Sequence, residues 1–79
     1  MNRQDVLERL QEVFRDVLGK PELKIKDEMT AANIEGWDSL AHISLLEAIQ
    51  QEFGCRFSLE ERLKLLSVKS LIDAIIFKQ

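Results

Sequence analysis

The sequence has few of the residues that build disulfides, metal sites and irregular chains. Its 79 residues include one cysteine, one proline and three glycines, and 46% of the residues are hydrophobic. A single cysteine, Cys55, excludes an internal disulfide and a cysteine-based metal site, and it favours a reducing, cytoplasmic setting. We expect it to be a small, half-buried residue and not a reactive thiol. A chain of this length and composition is typical of one folded, helical domain, here residues 1–79.

Long apolar runs and an excess of basic residues are also missing. No apolar stretch approaches the roughly 20 residues that a membrane-spanning helix needs, and Asp5, Glu8 and Arg9 interrupt any signal-peptide pattern at the N-terminus. The net charge is −3, and it is concentrated in positions 38–53, which hold three acidic residues and no lysine or arginine. The sequence therefore argues against a membrane span and against a nucleic-acid binder, which needs a basic face. It favours partners with basic patches.

Apolar residues at three- and four-residue spacing predict four helices. The first begins after Asn2, a suitable N-cap, and ends at Gly19. The second covers positions 39–53 and ends at Gly54, and its apolar surface is broad enough that we expect it to be the most buried helix. The predicted fold is all-α, a four-helix bundle with a short third helix and a long loop between helices 1 and 2.

The last two helices begin at recognisable caps. Ser58 and Glu61 match a capping box, with serine at N-cap and glutamate at N3, and predict a short third helix that ends near Leu66. Ser67 caps the last helix. Residues 20–37 lack sustained helical periodicity, and connections this long are usually functional or anchored. We expect four apolar residues to anchor this loop to the core: Leu23, Ile25, Met29 and Ile34.

The stretch with the most chemical information is GWDSL at positions 36–40, where the second helix begins. Helix capping alone would explain Asp38 and Ser39, because both side chains accept hydrogen bonds from free N–H groups at helix starts. A hydrolase would use Ser39 as nucleophile, His42 as base and Asp38 as orienter. However, Asp38 and His42 flank the serine on one helical turn, and no glycine-rich turn supplies an oxyanion hole. We therefore predict a protein that is not an enzyme and binds no metal, with His42 a partly exposed helix residue.

A third role for the serine is attachment of a group, since a helix start provides exposure and N–H donors that favour a phosphate. Three stretches at the expected spacing resemble the acyl carrier protein family, and the match covers essentially the whole chain: GWDSLAHI at 36–43, AIQQEFG at 48–54 and SVKSL at 67–71. The resemblance implies that Ser39, flanked by Asp38, carries 4′-phosphopantetheine from coenzyme A through a phosphodiester. An acyl or aminoacyl group would then be held as a thioester on the thiol of this arm.

The sequence differs from the housekeeping fatty-acid carriers that it resembles. Surface positions that are acidic in those carriers are Ala41, Ser44, Gln50 and Gln51 here, and Trp37 replaces a small residue. These differences favour a specialised carrier of a secondary lipid, polyketide or cell-surface pathway over one of fatty-acid elongation. A peptidyl or aminoacyl carrier and an unmodified helical adaptor remain as alternatives.

The resemblance also implies partners and a binding surface for a carrier that acts as a monomer. The partners are a phosphopantetheinyl transferase and the enzymes that load and transfer the acyl group, and we expect Trp37, Leu40 and Glu47 to contact them. Trp37 would otherwise fold over the loop and shield the first helix, and Leu40 would otherwise lie in the core. A carrier can also open a cleft for the acyl chain between its helices. We expect six residues to line such a cleft: Ile43, Leu46, Ile49, Leu63, Leu71 and Ile75.

Overall fold

A computed structural model describes residues 2–79 and contains four helices. Helix α1 spans Arg3–Leu18, α2 spans Ser39–Phe53, α3 spans Leu59–Lys64 and α4 spans Val68–Lys78. The described residues form no strand, and their one β-type pairing is an isolated bridge between Thr30 and Ser67. The predicted all-α fold with a short third helix is confirmed. Helix α3 ends slightly before Leu66, the predicted end.

Local sequence signals set the helix ends. Asn2 caps α1, and Ser58 and Glu61 form the reciprocal capping box at the start of α3. Gly19 and Gly54 end α1 and α2 with φ angles of 65° and 63°. This left-handed conformation is strained for residues with a Cβ atom, so glycine is the residue that closes these helices without strain.

The core lies where α1 packs against α2 and α4. Nine side chains in it are fully buried: Val6, Leu10, Phe14, Leu45, Ile49, Val68, Leu71, Ile72 and Ile75. Each of α1, α2 and α4 buries four residues, whereas α3 buries none. The expectation that α2 is the most buried helix is therefore wrong. Its broad apolar surface exceeds what the core covers, and Leu40 and Ile43 remain exposed.

The loop between α1 and α2 is anchored by its apolar residues, as predicted. Ile25 and Ile34 are buried, and Leu23 and Met29 are partly buried against the core. Arg15 on α1 reinforces this anchoring, because its Nε donates a 2.7 Å hydrogen bond to the carbonyl of Leu23.

The same loop is joined to the start of α4 through backbone groups. The N–H of Val68 donates to the carbonyl of Met29 at 2.9 Å, and the N–H of Lys69 donates to the carbonyl of Asp27 at 3.0 Å. The first N–H groups of a helix have no partner within it, so these loop carbonyls complete the start of α4. Anchored at both sides, the loop leads directly into the start of α2.

Candidate attachment site at the start of α2

Asp38 and Ser39 have different positions at the start of α2. Asp38 is the N-cap: its Oδ1 accepts a 2.9 Å hydrogen bond from the N–H of Ala41, and its carbonyl accepts one of 2.8 Å from the N–H of His42. Ser39 is the first residue of the helix. Gly36 precedes this turn with φ at 93°, a conformation that favours glycine. The carboxylate therefore does the capping, and the serine is not needed for it.

Ser39 is exposed, and its hydroxyl forms no hydrogen bond with any other group in residues 2–79. The N–H groups of Ser39 and Leu40 precede the first intrahelical hydrogen bond of α2 and point toward the same end of the helix. Free N–H groups and the positive end of a helix dipole favour an anion. A phosphate on the Ser39 oxygen would therefore meet donors and no steric barrier, and the residues present fit such a group.

Trp37 lies directly before this turn and is buried, with 4% of its surface exposed. Its ring meets that of Phe14 on α1 edge to face, with centroids 5.1 Å apart, and stacks on His42 with centroids 5.9 Å apart. In this conformation Trp37 presents little surface to a partner, and its contact with partners stays a prediction. The alternative is the one observed: the indole folds inward and covers α1, because burial of so large an apolar ring stabilises the small core.

His42 is joined to Trp37 by a hydrogen bond that fixes its protonation state. The indole Nε1–H donates to Nδ1 of His42 at 2.9 Å, so Nδ1 has no proton and a neutral ring carries its proton on Nε2. Burial lowers the pKa of His42 below its ordinary 6.5 and favours this neutral form. The Nε2 atom is buried and has no hydrogen-bond partner among the described residues. With Nδ1 occupied and Nε2 protonated, the ring offers no basic nitrogen to Ser39.

The other predicted partner contacts, Leu40 and Glu47, lie on the surface of α2. Leu40 is 79% exposed, which rules out the alternative that placed it in the core. Glu47 is exposed and forms an ion pair with Arg62 of α3, with 3.6 Å between its Oε1 and Nη1 of the arginine. The surface of α2 therefore presents the exposed side chain of Leu40 next to Ser39 and, further along the helix, a Glu47 carboxylate that already pairs with Arg62.

Glu52, the remaining acidic residue of α2, is also paired. Its carboxylate lies 2.8 Å from Nη2 of Arg9 on α1. The negative charge that the sequence concentrates in positions 38–53 is thus partly compensated in space by arginines from other helices. This weakens the argument from sequence that the segment attracts basic partners.

The six predicted cleft residues do not line one cavity in this conformation. Four of them fill the core, and two, Ile43 and Leu63, are exposed. A groove of about 700 Å³ lies instead beside Ser39. Its walls come from the loop, the start of α2 and the connection between α3 and α4: Thr30, Ala31, Ala32, Trp37, Asp38, Ser39, His42, Ile43 and Leu66.

The far wall of this groove has no signal in the sequence. Thr30–Ala32 and Leu66 are distant along the chain, and the bridge between Thr30 and Ser67 brings them together. Of the six predicted cleft residues, Ile43 alone belongs to the groove. An opening of the helices around the four core residues stays a prediction.

Residues 2–79 offer neither a metal site nor a membrane helix. No three or more of their histidine, cysteine, aspartate and glutamate side chains are grouped so as to hold a metal ion. None of the helices in this range has the length and apolar character required to cross a bilayer.

Comparison with known proteins agrees with this geometry. Residues 8–75 match the family profile described as the phosphopantetheine attachment site. The fold is similar to the solution structure of a holo acyl carrier protein from Geobacter metallireducens, with a TM-score of 0.86 and 32% sequence identity. That similarity covers 92% of this chain and 84% of the other. The chain therefore belongs to the acyl carrier protein family, whose members carry acyl groups on a covalently bound 4′-phosphopantetheine.

Proposed function

We propose that Ser39 is the residue to which the phosphopantetheine arm is attached. The observation that carries this proposal is the division of roles at the start of α2. Asp38 caps the helix through Ala41 N–H, which leaves the exposed Ser39 hydroxyl available for a phosphodiester. The free N–H groups of Ser39 and Leu40 would then stabilise the phosphate at the positive end of the helix.

The protein itself performs no catalysis in this proposal. When attached, the arm supplies a thiol that holds the acyl group as a thioester, and the protein supplies its position and its recognition by other enzymes. His42 cannot act as a base toward Ser39, since Trp37 occupies its unprotonated nitrogen. The hydrolase arrangement considered from the sequence therefore has no support in the positions of these side chains.

We further propose a specialised lipid or polyketide pathway in the cytoplasm. Ala41 and Ser44 occupy surface positions of α2 that are acidic in fatty-acid carriers, and the carboxylates that remain on α2 are paired with arginines. The proposed partners are a phosphopantetheinyl transferase and the enzymes that load and transfer the acyl group. The partly buried single cysteine is compatible with a reducing compartment.

Intact-mass measurement after incubation with coenzyme A and a phosphopantetheinyl transferase tests the attachment site. The wild type should gain the mass of one phosphopantetheine group, and Ser39→Ala should gain none. Ser44→Ala is the matched control, because Ser44 is an exposed serine of the same helix, and it should load as the wild type does. The Ser39→Ala variant should keep its helical content and lose at most about 1 kcal/mol of stability, because the Asp38 cap remains.

Two results would contradict the proposal. Loading of Ser39→Ala would place the arm on another residue. A wild type that stays unmodified while a known carrier loads in the same reaction would favour an unmodified adaptor. The mass of the group held on the loaded arm, acyl or aminoacyl, then separates an acyl carrier from a peptidyl carrier.

A further inference from the structure

We propose that His42 positions the phosphopantetheine arm, by donating a hydrogen bond from Nε2–H to an amide carbonyl of the arm lying in the groove beside Ser39. This inference rests on the attachment of the arm to Ser39. The Nε2 atom of His42 is a polar atom whose hydrogen-bonding capacity no group in residues 2–79 uses.

The hydrogen bond from Trp37 determines what His42 can offer. Because Nδ1 accepts the indole N–H at 2.9 Å, the proton of the neutral ring lies on Nε2. That nitrogen is buried and has no hydrogen-bond partner within residues 2–79. A buried donor without an acceptor carries a free-energy penalty. An acceptor on the arm would remove this penalty, so the Nε2–H donor of His42 is available for a carbonyl of the arm.

The groove is suited to the arm in size and chemistry. Its volume of about 700 Å³ lies within the range of about 300–1,000 Å³ that is usual for small-ligand sites. Ser39 and His42 both line it, so an arm fixed at Ser39 begins inside the groove and not at a distance from it. Its other walls include the side chains of Ala31, Ile43 and Leu66. A pantetheine chain has two methyl groups close to its first amide. These match the apolar side chains of the groove, and His42 is a donor residue of the same groove.

The arm is the occupant that this geometry favours over a separate ligand. Ser39 is part of the groove wall, so the arm needs no independent binding event and is present at a high effective concentration. The Nε2 atom of His42 is covered in the conformation described, although the residue itself lines the groove. Contact between Nε2 and the arm therefore requires a small rearrangement around the imidazole ring, while the bond from Trp37 keeps the proton on Nε2.

NMR spectroscopy of the apo and holo proteins tests the proposal. In the holo protein, the methyl groups of the arm should show NOEs to Ala31 and Ile43. The Nε2–H resonance of His42 should move downfield and exchange more slowly with water than in the apo protein. The His42→Phe variant keeps an aromatic ring beside Trp37 but has no donor, and it should lose these NOEs. The His42→Gln variant restores an N–H donor and should recover them.

The outcomes separate this inference from the proposed function. Failure to form a holo protein at all would refute attachment at Ser39. A holo protein without NOEs from the arm to the groove would overturn the inference and leave the attachment site intact. NOEs that persist in His42→Phe would show that the groove holds the arm without His42. If His42→Phe does not fold, an Nε2–H resonance that is identical in wild-type apo and holo proteins would overturn the role of His42.

Discussion

Leu40 should contribute more to partner binding than any single charge on α2. Its side chain is 79% exposed, directly after the proposed attachment residue Ser39, and truncation to alanine removes three carbon atoms. At about 0.8 kcal/mol per buried carbon, and with 79% of the side chain available for burial, the substitution should weaken binding by about 2 kcal/mol. This corresponds to an increase of about 30-fold in Kd. The expectation applies to a partner that covers the start of α2, as a phosphopantetheinyl transferase must.

Glu47 should contribute less to partner binding than Leu40, because its carboxylate already forms an ion pair within the protein. Its carboxylate pairs with Arg62 at 3.6 Å in the free protein. An exposed ion pair stabilises by about 0–1 kcal/mol, so Glu47→Gln should change Kd by no more than about fivefold. Raising the salt from about 0.1 M to about 1 M shortens the Debye length from about 10 Å to about 3 Å. Binding should weaken only modestly over this range.

Calorimetric titration of a transferase measures both effects in a Ser39→Ala background, where no reaction follows binding. Leu59→Ala is the control, since Leu59 is 75% exposed but begins α3, away from the attachment site in sequence. It should bind nearly as the parent does. The reasoning is refuted if Glu47→Gln weakens binding more than Leu40→Ala and high salt abolishes the complex. Docking would then be electrostatic.

Two further predictions concern the pKa values of Cys55 and His42. Burial raises the pKa of the Cys55 thiol, so at neutral pH iodoacetamide should alkylate the arm of the holo protein well before Cys55. The Cys55→Ser variant should still acquire one full phosphopantetheine group. Intact-mass measurement detects both the alkylation and the loading. Rapid alkylation of Cys55 in the apo protein would contradict a raised pKa of this thiol. Burial also lowers the pKa of His42 below its unfolded value of 6.5. Unfolding therefore takes up a proton as the pH falls below about 6.5, and stability should decrease there. Urea denaturation of wild type and His42→Gln should show a steeper decrease for the wild type, and parallel curves would contradict the argument.

The helix ends and the exposure of Ser39 could be predicted because their signals are local. Asn2, Ser58 and Gly54 act on backbone groups within a few residues, so the sequence around them is sufficient to place the caps. The signal for the exposure of Ser39 is also local, since this exposure follows from its position at the start of a helix that Asp38 caps.

The surroundings of the serine could not be predicted because they depend on packing between distant segments. Helical spacing shows which side of α2 is apolar but not how much of that side the other helices cover, and so it did not reveal that Ile43 is exposed. The burial of Trp37 depends on Phe14, in another helix. The pairing of Glu47 likewise depends on Arg62, which a count of charges along the chain does not include.

The hydrogen bonds between the loop and α4 also determine when the attachment site acquires its shape. The carbonyls of Asp27 and Met29 accept hydrogen bonds from Lys69 and Val68, which come much later in the chain. During synthesis, the loop that leads to Ser39 therefore cannot be completed until the last helix has been made and has docked. Local helices form in microseconds or less, whereas contacts over such sequence separations pay a greater closure entropy and come later. A transferase that recognises the completed loop would thus modify chains in which α4 has docked in preference to chains in which it has not.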